Sequence, residues 1–103
     1  MEIEKLRALC HDNTIAMTQH ALLRIAERGI SLDDIQNGIL TGRIIEEYPE
    51  DYPFPSCLIL GEATTKRPMH VVASSDGEFL HIITAYFPDP IRWESDFATR
   101  KEG

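Results

Sequence analysis

The chain has 103 residues, 43% hydrophobic and 26% charged, which is typical of a single folded domain over residues 1–103. No run reaches the roughly 18 apolar residues of a membrane span, and no signal peptide pattern begins the chain, so we expect a cytoplasmic protein without a membrane partner. The net charge of -7 argues against a general nucleic-acid-binding protein, which usually has a basic excess.

Short helices are predicted in the first part of the chain, from apolar spacings of three and four residues. They cover residues 2–10, 19–28 and 32–41. The second begins after Thr18, a good N-cap, and ends at Gly29, the residue type that best tolerates a left-handed C-terminal cap. The third begins after Ser31 and carries Asp33 and Asp34 in its first turn, where carboxylates stabilise the helix dipole.

From Arg43 onward the pattern changes to strands separated by turn residues. The predicted strands are RIIEEY (43–48), SCLILGEA (56–63), PMHVVAS (68–74) and EFLHIITAYF (78–87). The proline-rich segment PEDYPFP joins the first two, and the tail after residue 87 is expected to form a short helix or an irregular strap. The predicted fold is α+β, with N-terminal short helices followed by a four-stranded antiparallel meander sheet.

The register of the last hairpin decides which side chains lie beside His70. A two-residue turn at Asp76 and Gly77 would pair His70 with Ile83, whereas a three-residue bulged loop would pair it with Thr84. Period-two alternation places Leu80, Ile82, Thr84 and Tyr86 on one face of the last strand. The sequence leaves both registers open.

A stripe of His20, Arg24 and Arg28, spaced by four residues, lies along one edge of the second predicted helix. An imidazole and two guanidiniums can hold an anion, position a phosphate or do acid–base chemistry. The alternative is a solvated face whose arginines bridge to Glu27 or Asp33.

Metal and cofactor chemistry receive little support from the sequence. Cys10 and Cys57 are far apart and form no CxxC pair, so neither a disulfide framework nor a zinc cluster is predicted. The four histidines lack metal-ligand spacing, and there is no P-loop, GxGxxG or GxSxG motif. We therefore predict no metal and no cofactor.

Several motifs occur in a defined order along the chain: HAxxRxxERGIS, PSCLILG, RPxHVV, ITAYxPDxxxW and DFxxR. Together they resemble the DUF4258 family of small bacterial and archaeal proteins, over residues 18–101. The resemblance implies a RelE-like fold and a relationship to the RelE, MqsR and BrnT toxins. It therefore implies RNA as substrate and an antitoxin protein, often of zinc-finger type, as partner.

Metal-independent RNA cleavage uses the 2′-hydroxyl of the substrate as nucleophile, so the protein supplies a base, an acid and positive charge for the phosphorane. The family motifs mark eight residues of this sequence, and the role of each is inferred from the chemistry of its side chain. The expected catalytic residues are His20, Arg24, His70 and Tyr86, and the expected substrate-binding residues are Arg28, Thr84, Trp93 and Arg100.

A non-catalytic binding module is the alternative function. The acidic net charge favours it, as does the aromatic, proline-rich PEDYPFP segment, which could contact a partner. A third class, an unrelated small hydrolase or metal enzyme, has only the four histidines in its favour. The sequence is also compatible with a homo-oligomer.

Overall fold

This computed structural model describes residues 1–102. Helices and strands alternate only near the beginning of the chain, and the later elements are all strands. The helices are α1 (Ile3–Ala8), α2 (Gln19–Glu27) and α3 (Leu32–Thr41). The strands are β1 (Ile15–Ala16), β2 (Arg43–Tyr48), β3 (Ser56–Glu62), β4 (Pro68–Ser75) and β5 (Leu80–Tyr86). The order confirms the α+β class.

The predicted helix caps explain where α2 and α3 begin and end. The Thr18 hydroxyl accepts a hydrogen bond from the backbone of Ala21 at 3.0 Å. Ser31 and Asp34 form a reciprocal capping box at the start of α3. Gly29 follows α2 with φ of 74°, a left-handed conformation that glycine adopts without a steric penalty. These local interactions fix both helices within one residue of their predicted ends.

The sheet has five strands in the order β1-β5-β4-β3-β2. Strands β2 to β5 pair antiparallel in sequence order, as predicted, but β1 adds a parallel edge beside β5. The predicted four-stranded antiparallel meander is therefore corrected to a five-stranded mixed sheet. Strand β1 has only two residues, too few to show an alternating pattern in the sequence.

The β4–β5 hairpin has a register that differs from both predicted ones. Its loop contains four residues, 76–79, and the Asp76 carboxylate accepts hydrogen bonds from the backbone of Glu78 and Phe79. A β-bulge then leaves Ile83 without a partner on β4, so that His70 pairs with Tyr86. The bulge turns Thr84 and Tyr86 to the sheet face opposite Leu80 and Ile82, which corrects the predicted shared face.

The main core lies between the helices and one face of the sheet. It contains side chains from every helix and from the three central strands, among them Leu6, Ile25, Ile35, Ile59, Val71 and Ala85. Only Ala21 and Ile25 of α2 are buried, whereas Leu22 and Leu23 are exposed. The second face of the sheet is partly covered by residues 88–102, which we call the strap. It is irregular, as one of the two expectations for the tail proposed, with a single bridge between Trp93 and Arg100.

Candidate functional site

Arg28 connects the end of α2 to the end of β5. Its Nη1 donates to the Thr84 hydroxyl and to the Ala85 carbonyl oxygen, both at 3.0 Å. Within residues 1–102 neither Arg24 nor Arg28 forms an ion pair with Glu27 or Asp33. The salt bridges of the alternative interpretation therefore do not form in these residues. Arg28 and Thr84, two of the expected substrate-binding residues, are in direct contact.

His20 and Arg24 lie on the same edge of α2, and both are exposed. Neither side chain has a hydrogen bond within residues 1–102, so both are available to a ligand. A helix rises about 1.5 Å per residue, so His20 lies about 12 Å from Arg28 along the axis. The stripe thus extends two turns away from the contact between Arg28 and β5.

His70 is completely buried, and both ring nitrogens have partners. Nε2 lies 2.7 Å from the Phe97 carbonyl oxygen and Nδ1 lies 3.2 Å from the Tyr86 hydroxyl oxygen. Because a carbonyl only accepts, Nε2 carries the proton and Nδ1 accepts from Tyr86. Burial lowers the pKa of His70, so the ring is neutral near neutral pH. In this arrangement the imidazole reaches a substrate only through Tyr86.

Tyr86 is half-buried and lies between two groups of predicted site residues, Arg28 with Thr84 on one side and His70 on the other. It lies two residues after Thr84 on the same face of β5, and it is the cross-strand partner of His70. Burial raises the pKa of the Tyr86 phenol, so the hydroxyl keeps its proton near neutral pH. A continuous line of polar contacts and neighbours therefore runs from α2 to the strap, through Arg28, Thr84, Tyr86 and His70.

Trp93 and Arg100 hold the strap against the sheet. The Trp93 ring is 4% exposed and packs edge-on against His70, with ring centres 4.5 Å apart. The Arg100 guanidinium lies over Trp93 and donates to both carboxylate oxygens of Glu46, at 2.8 and 3.0 Å. Their contacts favour a role in packing the strap; contact with a substrate stays a prediction.

Residues 17–87 match the DUF4258 family, which is described as a domain of unknown function. The chain belongs to the DUF4258 family. The matched range begins just before α2 and ends just after β5, so it includes both the stripe of α2 and the line from Arg28 to His70. Trp93 and Arg100 lie beyond it, although the motifs predicted a resemblance up to residue 101. No curated protein and no solved structure matches the chain in the comparisons.

Two residues of this DUF4258 protein complete the network under the strap and were not predicted as site residues. The Tyr48 hydroxyl donates to Glu46 at 2.7 Å, and burial together with this carboxylate raises the pKa of Tyr48 to about 12. Hydrogen bonding to Arg100 and Tyr48 lowers the pKa of Glu46. Glu46 and Arg100 are 54 residues apart, so local sequence patterns could not pair them.

A groove of about 740 Å³ lies at the other end of β5 in this DUF4258 protein. Its walls come from three segments, β1 with the residues after it, the proline-rich segment, and the facing parts of β4 and β5. The lining includes Met17, Tyr52, Phe54, Ser74, His81 and Ile83. Only the aromatic residues of PEDYPFP gave a sequence signal for this surface, and they did not indicate a cavity.

The described part of the chain holds no group of three or more His, Cys, Asp or Glu side chains placed to bind a metal ion. None of its helices has the length and apolar character that a bilayer crossing requires.

Proposed function

We propose that this DUF4258 protein is a metal-independent endoribonuclease related to the RelE, MqsR and BrnT toxins, with a RelE-like catalytic arrangement. The proposed setting is the cytoplasm, where an antitoxin protein would hold the enzyme inactive. The main support is the contact of Arg28 with Thr84, two residues before Tyr86 on the same face of β5. Cleavage through the 2′-hydroxyl needs a cation at the phosphate and a group that moves a proton.

Arg28 is the proposed ligand of the phosphate that is cleaved. Nη1 is held by Thr84 and Ala85, while Nε and Nη2 have no hydrogen bond within residues 1–102. Those N–H groups can donate to two phosphate oxygens in the forked geometry that guanidinium favours. Fixing one nitrogen to the sheet reduces the freedom that the side chain loses on binding, since its position is already set.

Tyr86 is the proposed base for the 2′-hydroxyl, with His70 as the positioning residue behind it. As the 2′-oxygen forms its bond to phosphorus, its proton passes to the Tyr86 oxygen, and the Tyr86 proton passes to His70 Nδ1. The bond from phosphorus to the 5′-oxygen breaks, and this oxygen takes a proton from water. The products are a 2′,3′-cyclic phosphate and a 5′-hydroxyl. The water that gave its proton is left as hydroxide, and the proton on His70 returns through Tyr86 to this hydroxide.

His20 and Arg24 take a different part in this proposal from the catalytic one expected from the chemistry of their side chains. Because His20 lies about 12 Å from Arg28 along α2, it does not share a phosphate with Tyr86. We assign His20 and Arg24 to the neighbouring phosphates of a bound strand, where exposed cations add affinity that falls with salt.

The test is cleavage of a labelled RNA oligonucleotide in EDTA, with identification of the cyclic phosphate. Replacing the 2′-hydroxyls by 2′-O-methyl groups is expected to abolish cleavage. Tyr86→Phe is expected to reduce the rate about 100-fold or more, since proton transfer contributes at least that factor. Tyr48→Phe, which removes a partly buried hydroxyl outside the line, is the matched control. Arg28→Ala is compared with Arg92→Ala, an exposed arginine of the strap.

In cells, expression of the wild-type protein is expected to arrest growth, and Tyr86→Phe is expected to relieve the arrest. His70→Asn tests the positioning role, because loss of the proton acceptor should change the pH dependence of the rate as well as its size. No cleavage by the wild-type protein, or equal rates for Tyr86→Phe and Tyr48→Phe, would contradict the proposal.

A non-catalytic binding module is the second candidate, and the burial of His70 favours it. Two of the four expected catalytic residues, His20 and Arg24, are exposed on α2, whereas His70 lies under the strap. In that case Arg28→Ala would weaken binding of an anionic partner, and neither the wild type nor any variant would cleave RNA.

A further inference from the structure

The groove beside β5 exposes flat aromatic rings next to aliphatic side chains. Tyr52 is 95% exposed and Phe54 40% exposed, and both come from the proline-rich segment. Met17 and Ile83 also line the groove, and Ile83, the bulged residue of β5, is 47% exposed. Exposed aromatic rings beside an apolar surface are the usual platform on which a nucleobase stacks.

Polar groups in the groove can read the edge of such a base. Nε2 of His81 lies 2.9 Å from the Asp76 carboxylate, which leaves Nδ1 for a ligand. The Ser74 side chain has no hydrogen bond to another side chain or to the backbone within residues 1–102, although Ser74 lines the groove. The Asp51 carboxylate, also in the lining, accepts from the Ser56 hydroxyl. The groove therefore offers both donors and acceptors.

The groove lies next to the cationic stripe of α2, since residues near both ends of the stripe's contacts line it. Thr18 lines the groove and is also the N-cap of α2, and His20 follows two residues later. At the other end, Ile83 lines the groove and precedes Thr84, which binds Arg28. A single strand whose phosphates lie along His20, Arg24 and Arg28 therefore passes directly beside the groove.

We propose that the groove binds one unpaired base of a single-stranded RNA whose phosphates lie along this stripe. The inference rests on the proposed function for its class of substrate, and it adds a binding subsite separate from Arg28 and Tyr86. An extended peptide fits this surface less well, because the bulge at Ile83 interrupts the ladder of backbone groups that a peptide strand would pair with.

The test uses a short, fluorescent 2′-O-methyl RNA, which retains its bases and cannot be cleaved through the 2′-hydroxyl. Binding is followed by fluorescence anisotropy. Phe54→Ala is expected to weaken binding about five-fold or more, because one stacked base contributes at least that factor. The matched control is Phe79→Ala, since Phe79 is 41% exposed and lies outside the groove lining. Tyr52→Ala, at an almost fully exposed position, provides a second variant.

A second set of strands, each with one abasic position, identifies the base. We expect one abasic strand to bind the wild type as weakly as the intact strand binds Phe54→Ala. The Phe54→Ala substitution should not weaken the binding of that abasic strand any further. Equal affinities of Phe54→Ala and Phe79→Ala, or of intact and abasic strands, would overturn the proposal. Binding of an apolar peptide, but not of RNA, in the groove would also overturn the proposal. This binding is measured by shifts of the nuclear magnetic resonance signals of the Tyr52 and His81 rings.

The two proposals fail in different ways. Base-dependent binding without any cleavage of unmodified RNA supports the groove and contradicts the ribonuclease. Cleavage that depends on Tyr86, together with binding that ignores the abasic position, supports the ribonuclease and overturns the groove.

Discussion

We expect removal of the Asp34 charge to lower the free energy of unfolding in a pH-dependent way. Asp34 is only 8% exposed, and its two carboxylate oxygens join two segments of the fold. Oδ2 accepts from the backbone N–H of Ser31 at 3.0 Å, while Oδ1 accepts from the backbone and hydroxyl of Thr64 at 2.9 and 2.8 Å. Asp34 therefore fixes the start of α3 and the turn between β3 and β4 together.

These hydrogen bonds, led by those from the backbone of Ser31 and Thr64, lower the pKa of Asp34 from 3.8 to about 2. One pKa unit corresponds to about 1.4 kcal/mol, so the ionised carboxylate contributes about 2 kcal/mol to the free energy of unfolding. Because the folded-state pKa is the lower one, this contribution is present above pH 3.8 and is lost as the pH falls toward about 2.

The assay is urea denaturation of the wild type and Asp34→Asn at several pH values. Near neutral pH the variant should be less stable by about 2 kcal/mol, since an amide cannot accept from both backbone donors. The difference should shrink as the pH is lowered through 3. Asp33→Asn is the control, because Asp33 is exposed in the same helical turn. Equal losses for both variants, or a difference independent of pH, would refute the reasoning.

Three further outcomes follow from packing and burial. Gly61→Ala should lower the free energy of unfolding by about 1–3 kcal/mol in thermal or urea melts, because a Cβ there would overlap the backbone of Gly38. Cys57 is fully buried and burial raises its pKa to about 11, so a thiol reagent near pH 8 should modify it only on unfolding. Glu46→Gln should cost about 1 kcal/mol or less, because Arg100 is largely exposed, and nuclear magnetic resonance should show weaker ordering of the strap.

The helices and the strand order were predictable because their signals are local. Thr18 and Ser31 act as caps within three residues of their partners, and Gly29 ends α2 through its own backbone conformation. The four longer strands show in their β-branched and aromatic composition. The pairing of β1 with β5 depends on contacts across more than sixty residues and on only two residue pairs, so no local pattern indicates it.

The candidate site was predictable as a set of residue types but not as an arrangement. The stripe of α2 follows from helical spacing, and Arg28 does reach Thr84. The pairing of His70 with Tyr86 depends on the bulge at Ile83, which no residue type in β5 requires. The burial of His70 depends on where the strap crosses the sheet. The partner of its Nε2 is the backbone carbonyl of Phe97, and a backbone group carries no sequence signal.

Arg28 also affects how the sheet behaves toward other copies of the chain. Strand β1 pairs with β5 at two positions, Ile15 with Leu80 and Ala16 with His81. Beyond them, within residues 1–102, no strand lies beside the outer edge of β5. An uncovered edge can recruit a strand from another molecule and start aggregation. The guanidinium of Arg28 occupies the Ala85 carbonyl on this edge. Removing it would therefore expose a backbone acceptor, and variants at this position call for a check of their solubility alongside their activity.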